Sequence, residues 1–205
     1  NSILAKTLKL KFFNTERSLI DTALWDLKGK LMGQPVWKIL GGSKCEGMPV
    51  TWIVHGNSKA DMIKEALRVV NERGFRSLKV KCWRRSMEDV EMIRDMRKEL
   101  GDKILIYVDA NGAYTEAEAR AILSRLVDYN IALVEDPCEL DDPARIARLA
   151  QAMPIPILGD DYCRDADDIK KLVAVGAIGA ASVKPRRNGI TGTLKAIHYC
   201  EINRI

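Results

Sequence analysis

Six charged residues stand where apolar runs stop: Lys79 and Lys81, Asp109, Glu135, Asp160 and Lys184. From Lys81 onward the spacings are 28, 26, 25 and 24 residues, so one charged group recurs about every 25 residues. Three carboxylates converging on one point repel one another unless a hard cation neutralises them. An all-oxygen donor set with no histidine or cysteine beside it suits Mg²⁺ or Mn²⁺ better than zinc. Lysines facing such a site would set ammonium groups against those carboxylates. A charge at one strand end is ordinarily the start of a solvated loop. Five in phase, flanked by runs as apolar as Ile104–Val108 and Ile131–Val134, point to a shared site. Burying them unpaired is too costly without a cation or counter-charges.

The elements that must position these groups alternate along the chain. Strand patterns cover 48–54, 77–83, 103–109, 131–136, 155–160 and 180–185. Helical periodicity covers 58–73, 87–100, 115–128, 143–153, 166–175 and 191–201, with Thr115 as an N-cap. Six βα units of about 25 residues, with nearly all-apolar later strands, describe an α/β chain whose strands are parallel and covered on both faces. An open doubly wound sheet would favour a Gly-rich fingerprint after the first strand, and His55-Gly56-Asn57-Ser58 lacks one. In a closed barrel the C-terminal strand ends converge on one mouth, which gathers the charged set. The fold expected is an incomplete (β/α) TIM-type barrel of about six units. Residues 1–47 are expected to lead into it, and 48–205 to form the barrel units.

Composition narrows the function classes. Among 205 residues, 47% are apolar and 30% charged, a soluble globular balance. A net charge of +5 spread along the chain, with short basic spots at 79–85 and 186–187, is not a nucleic-acid surface. No apolar run approaches the roughly 20 residues of a membrane span. The first residues lack a signal-peptide layout. Five scattered cysteines without a CxxC pair read as reduced, mostly buried thiols, and a cytoplasmic setting is expected.

The ordered motifs resemble the enolase superfamily, within it the muconate lactonizing enzyme subgroup of mandelate racemase-like proteins. Residues 18–30, running on to Leu40-Gly41-Gly42, look like the helix that leads from the family's capping region into its barrel. Lys79-Val80-Lys81 resembles its KxK motif. Val108-Asp109-Ala110-Asn111-Gly112, Val134-Glu135-Asp136-Pro137 and Gly159-Asp160-Asp161 resemble the three metal-ligand strands, and Val183-Lys184-Pro185 the strand of the second lysine.

The resemblance implies that Asp109, Glu135 and Asp160 hold Mg²⁺ (or Mn²⁺) and that Lys81 and Lys184 form an acid/base pair on opposite faces of the substrate. Lys79 would sit behind Lys81 and lower its proton affinity. Asn111, Asp136 and Asp161 are expected to orient the ligands, and His55 and Trp83 to reach the substrate. The implied reaction is proton abstraction α to the carboxylate of a small acid or amino-acid derivative, with enediolate stabilisation, leading to racemisation, epimerisation, dehydration or cycloisomerisation. A homo-oligomeric complete enzyme is expected, with no nucleic-acid or membrane partner. The other class of function is an inactive barrel fragment that at most binds. Asp161 stands where an Asp-Glu pair is usual, and Asn188-Gly189 replaces Gly-Gly. Most of the capping domain and the last two barrel units are expected to lie outside this chain.

Overall fold

Strands built on alternating Leu, Val and Ile need two covered faces, and the helices between them supply one. The computed structural model describes residues 14–43, 46–82, 87–139 and 142–205. The chain forms two compact units, one comprising Pro49–Tyr162 with Lys171–Ala181, the other the chain up to Met48 with Cys163–Lys170 and Ser182–Ile205.

The larger unit holds one six-stranded parallel sheet in sequential order. Its strands are β1 (Trp52–Val54), β2 (Ser77–Lys81), β3 (Leu105–Asp109), β4 (Ile131–Glu135), β5 (Ile157–Gly159) and β6 (Ala180–Ala181). A long helix and a single turn of the other unit, α1 (Asn14–Met32) and α2 (Val36–Ile39), precede them. Between strands run α3 (Lys59–Arg73), α4 (Met87–Leu100), α5 (Glu116–Leu126), α6 (Pro143–Ala152) and α7 (Ala166–Ala174), and α8 (Pro185–Asn203) follows β6. On one face of the sheet Leu78, Val80, Ile106, Val108 and Val134 are wholly or almost wholly buried. They form the core with Met62, Val69, Met92, Ile93, Met96, Leu123 and Leu149 from the helices. Trp52 belongs to this packing, with its ring edge-on to Phe75 and its Nε1–H donating to Glu65. The opposite face carries Lys79, Lys81, Tyr107, Asp109 and Glu135, one residue out of step with the core set. Among the described residues, no helix is long and apolar enough to cross a membrane.

Helix starts follow local sequence chemistry. Ser58 caps α3 through the Asp61 N–H, and Thr115 and Glu118 form a reciprocal capping box on α5. Asp142 accepts from the Ala144 N–H and Pro143 takes the first turn of α6. Buried Arg97, on α4, donates to four carbonyls: Tyr129 (3.0 Å), Asn130 (2.9 Å), Gly101 (2.8 Å) and Ile104 (2.7 Å). It satisfies the end of α4 and the loops leading into β3 and β4. Arg97→Ala is expected to cost about 3 kcal/mol or more, because several buried acceptors lose their donor together. Arg97→Lys should recover little, since one ammonium cannot reproduce the planar fork. Urea unfolding of the three chains checks this, and a loss near zero for alanine would contradict it.

The first strand is shorter than the sequence pattern predicts. Met48 and Val50 lie outside it and are 80% and 66% exposed. Among the described residues, β1 pairs only with β2 and β6 only with β5. Ile53, in register with Lys79, is 40% exposed. Such apolar edges template further pairing. The 205-residue chain produced by itself is therefore expected to self-associate, and a sedimentation profile of pure monomer would count against that.

The smaller unit is built on α1 against α8. Pro185 sets the first turn of α8, and Gly189 breaks it with φ 66°, a left-handed conformation costly for other residues. A side chain there would also run into the Asp21 carboxylate. Past that kink, buried Asp21 accepts from the Thr191 N–H (2.9 Å) and hydroxyl (2.7 Å). Trp25 Nε1–H donates to the same hydroxyl at 2.9 Å, and the Ser18 hydroxyl donates to the Pro185 carbonyl at 2.6 Å. The strand expected over 180–185 thus ends at Ala181, and Lys184 becomes the N-cap residue of α8.

Candidate metal and proton-transfer site

Register brings the charged residues of β2, β3 and β4 together. Lys81 is opposite Asp109, Asp109 opposite Glu135, and Lys79 lies one layer deeper, opposite Tyr107. The ladder continues past the strand ends, with Cys82 N donating to Asp109 O, Ala110 N to Glu135 O and Asp136 N to Leu158 O. That extra length holds Asp109, Glu135 and Asp160 on rigid backbone, and they are only 0%, 2% and 5% exposed.

Asp109 Oδ2 accepts from Lys79 Nζ at 2.7 Å and from Lys81 Nζ at 2.6 Å. The two ammonium groups are therefore within about two hydrogen-bond lengths of each other. Asp109 Oδ1 accepts from the Asn111 N–H at 2.8 Å, and Asn111 Oδ1 accepts from Lys81 Nζ. Lys79 also reaches Glu135 at 2.6–2.7 Å. Burial works against its charge, but the hydrogen bonds to Asp109 and Glu135 outweigh it, and its pKa is raised. It is a bridging counter-ion as well as a neighbour of Lys81. Burial, with the charges of Asp109 and Asp160 adding to it, pushes Glu135 well above the ordinary carboxylate range, against the pull of Lys79. Asp109 and Asp160 therefore both act on Glu135 electrostatically.

Asp136, 1% exposed with φ 41°, directs Oδ1 at the Asp160 N–H (2.9 Å) and Oδ2 at the Asp161 N–H (2.7 Å). Burial raises its pKa to about 6, with those two amides opposing. Carboxylate oxygens of Asp136, Asp160 and Asp161 lie within 4.8 Å of one another. Asp160 is buried and Asp161 exposed. Of the two acids that follow β5, Asp160 is the buried one, and its charge is felt by Glu135.

An oxygen-only set of three buried carboxylates fits a hard divalent cation by donor chemistry. Burial first, and then the charges of Asp109 and Asp160, disfavour the ionised form of Glu135, and a cation there would offset both. The sequence reading missed the tie from the Tyr162 hydroxyl to the Cys138 carbonyl, and the one from Gly112 N to Asp136 O. Asn111 and Asp136 have φ of 48° and 41°, a conformation that Asn and Asp tolerate. Asn111-Gly112 and Asp136-Pro137 were the available signals. His55 is exposed in the loop after β1. Trp83 lies outside the described residues. Lys184, at the start of α8, is half-buried in the other unit. That unit has a cavity of about 450 Å³ lined by Asp21, Asp165, Lys170, Arg187 and Thr191 among others. Asp165 caps α7, Asp21 accepts from Thr191 within α8 and Asp167 accepts from Lys170, so its acids are already engaged.

Comparison with known proteins identifies the family of the chain. Residues 61–205 match the family profile described as enolase C-terminal domain-like. Residues 4–41 match the mandelate racemase / muconate lactonizing enzyme N-terminal domain. The chain is 28% identical over 190 residues to an N-succinyl-L-Arg/Lys racemase of Bacillus cereus, covering 92% of this chain and 51% of that one. It is 31% identical over 191 residues to muconate cycloisomerase 1 of Pseudomonas putida, with 92% and 51% covered. A dipeptide epimerase of Cytophaga hutchinsonii, solved with Mg and the dipeptide D-Ala-L-Val, superposes with a TM-score of 0.87 at 29% identity. That alignment covers 94% of this chain and 52% of the epimerase. The chain spans about half the length of the curated relatives it matches.

Proposed function

The chain belongs to the mandelate racemase/muconate lactonizing enzyme family of the enolase superfamily, and we propose that it is the barrel portion of an enzyme that moves a proton α to a substrate carboxylate. The observation that carries this reading is the Lys81–Asp109–Lys79–Glu135 cluster at the ends of three adjacent strands. Asp109, Glu135 and Asp160 would hold a divalent cation, Mg²⁺ or Mn²⁺. Bound there, it supplies positive charge against the second negative charge that grows on a carboxylate when its α-proton leaves.

The chain's own residues do the rest. Lys81 carries or accepts the proton, and Asn111 and Asp109 fix its Nζ by accepting its hydrogen bonds. Lys79 balances the buried carboxylates from below. Lys184 serves the other face of the substrate, so that a proton removed from one side returns from the other, or an elimination follows. The substrate is a small carboxylate, and the named relatives act on N-succinyl amino acids, dipeptides and muconate. Racemisation, epimerisation or cycloisomerisation is the corresponding outcome.

Mn²⁺ titration, followed by electron paramagnetic resonance, tests the cation site on the full-length protein. Asp109→Asn, Glu135→Gln and Asp160→Asn should each weaken binding at least tenfold, and Asp161→Asn should leave it within about twofold. Proton NMR in D₂O should show exchange of the α-proton in N-acyl amino acids or dipeptides. Equal Mn²⁺ affinity across all five proteins would reject the site.

A further inference from the structure

Asp136 makes four backbone connections at once. Its carboxylate accepts the Asp160 and Asp161 amides, its carbonyl accepts the Gly112 amide at 2.7 Å, and its own N–H donates to Leu158 O at 3.1 Å. It thus joins the loop that follows Asp109 at the end of β3, the end of β4 next to Glu135, and the loop after β5 that carries Asp160. A residue buried this deeply and held at φ 41° persists only where its surroundings fix it. Two acids, Asp160 and Asp161, follow β5 in succession, and their carboxylate oxygens lie within 4.8 Å of those of Asp136 and of each other. Clamping both amides on one carboxylate fixes the chain there, with Asp160 inward and Asp161 exposed.

We propose that Asp136 is a positioning residue that selects Asp160 over Asp161 as the third carboxylate of the cation site. The inference rests on the metal reading above and deepens it. Asp136→Asn is the clean variant, because asparagine tolerates the same left-handed backbone. Its amide group can accept from one of the two N–H donors but must present its own NH₂ to the other. The loop after β5 is then released on one side while the ligand carboxylates stay in place.

The test uses Mn²⁺ alone on the full-length protein, with unfolding measured on the same samples. Asp136→Asn should weaken Mn²⁺ binding 10–100-fold. Ile146→Val, a destabilising core change on α6 away from the loop, should not weaken it. With the clamp loosened, Asp161 gains access to the ion, so adding Asp161→Asn should lower affinity further in the Asp136→Asn background only. Wild-type binding with unchanged affinity in Asp136→Asn would overturn the inference and leave the metal reading standing. An Asp161→Asn effect equal in both backgrounds would overturn the selection. Failure of the wild-type protein to bind Mn²⁺ would overturn the metal reading and this inference with it.

Discussion

Lys81→Ala and Lys184→Ala in the full-length protein should each lower turnover by about 10³-fold or more, within the range that a positioned general acid or base contributes. Divalent-cation affinity should change little in either. Lys81 donates to Asp109 without being a cation donor itself, so its removal takes one positive charge from the carboxylates and weakens no ligand. A two-lysine mechanism makes a sharper claim than loss of activity. Each lysine serves one face, so each variant should still exchange the α-proton of one substrate enantiomer with solvent deuterium and fail with the other. Full activity in either variant would show that the acid/base pair is elsewhere. Exchange of both enantiomers by both variants would point to a single base that reaches both faces.

Much of the frame behind that expectation is legible in the sequence, and the gaps have physical causes. Strands β2 to β5 and helices α3 to α7 lie where period and caps place them, because each is specified by its own residues. The ends of the sheet differ. Residues 48–51 have strand composition but no ladder partner among the described residues, and a strand pattern without a partner remains loop. At the other end, 180–185 reads as a strand, yet Pro185 starts a helix and the Gly189 kink passes its second segment to Asp21, about 170 positions away. No local pattern carries a cap supplied from that distance.

The site divides in the same way. The phase of Lys81, Asp109, Glu135 and Asp160 is visible because it repeats with the βα unit. Lys79 as a bridge between Asp109 and Glu135 is not, because it depends on the registers of β2 with β3 and β3 with β4 together. The clamp of Asp136 on two amides likewise needs the relative rise of β4 and β5. The sequence reading treated the two lysines only as mutual repellers. Their shared contact with Asp109 makes the carboxylate the third member of that interaction.

Stability of the chain without added divalent ions is expected to fall as pH rises from about 4 to about 7, and divalent ions should reverse the fall. Asp136 goes from an ordinary 3.8 to about 6, and Glu135 is displaced in the same direction, burial being the main cause for both. Between those limits the folded chain binds more protons than the unfolded chain. The stability these groups give is therefore fully present below the ordinary carboxylate pKa and is lost as pH climbs through the raised values. For Asp136 alone that is about 3 kcal/mol, at 1.36 kcal/mol per pKa unit. Lys79 is raised from 10.5, so its contribution is constant across this window. Glu65, Asp95 and Glu116 are held low by exposed basic partners, but their windows lie below pH 4.5 and salt screens them. A cation bound to the deprotonated carboxylates adds about 2.7 kcal/mol at a hundredfold excess over its Kd, and protons compete with it. Melting in moderate salt with and without Mg²⁺ should therefore show a larger Mg²⁺-induced rise in Tm at pH 8 than at pH 5. A shift of equal size at both pH values, or a metal-free Tm that rises steadily from pH 5 to 8, would mean that these carboxylates neither carry the excess charge nor bind the ion.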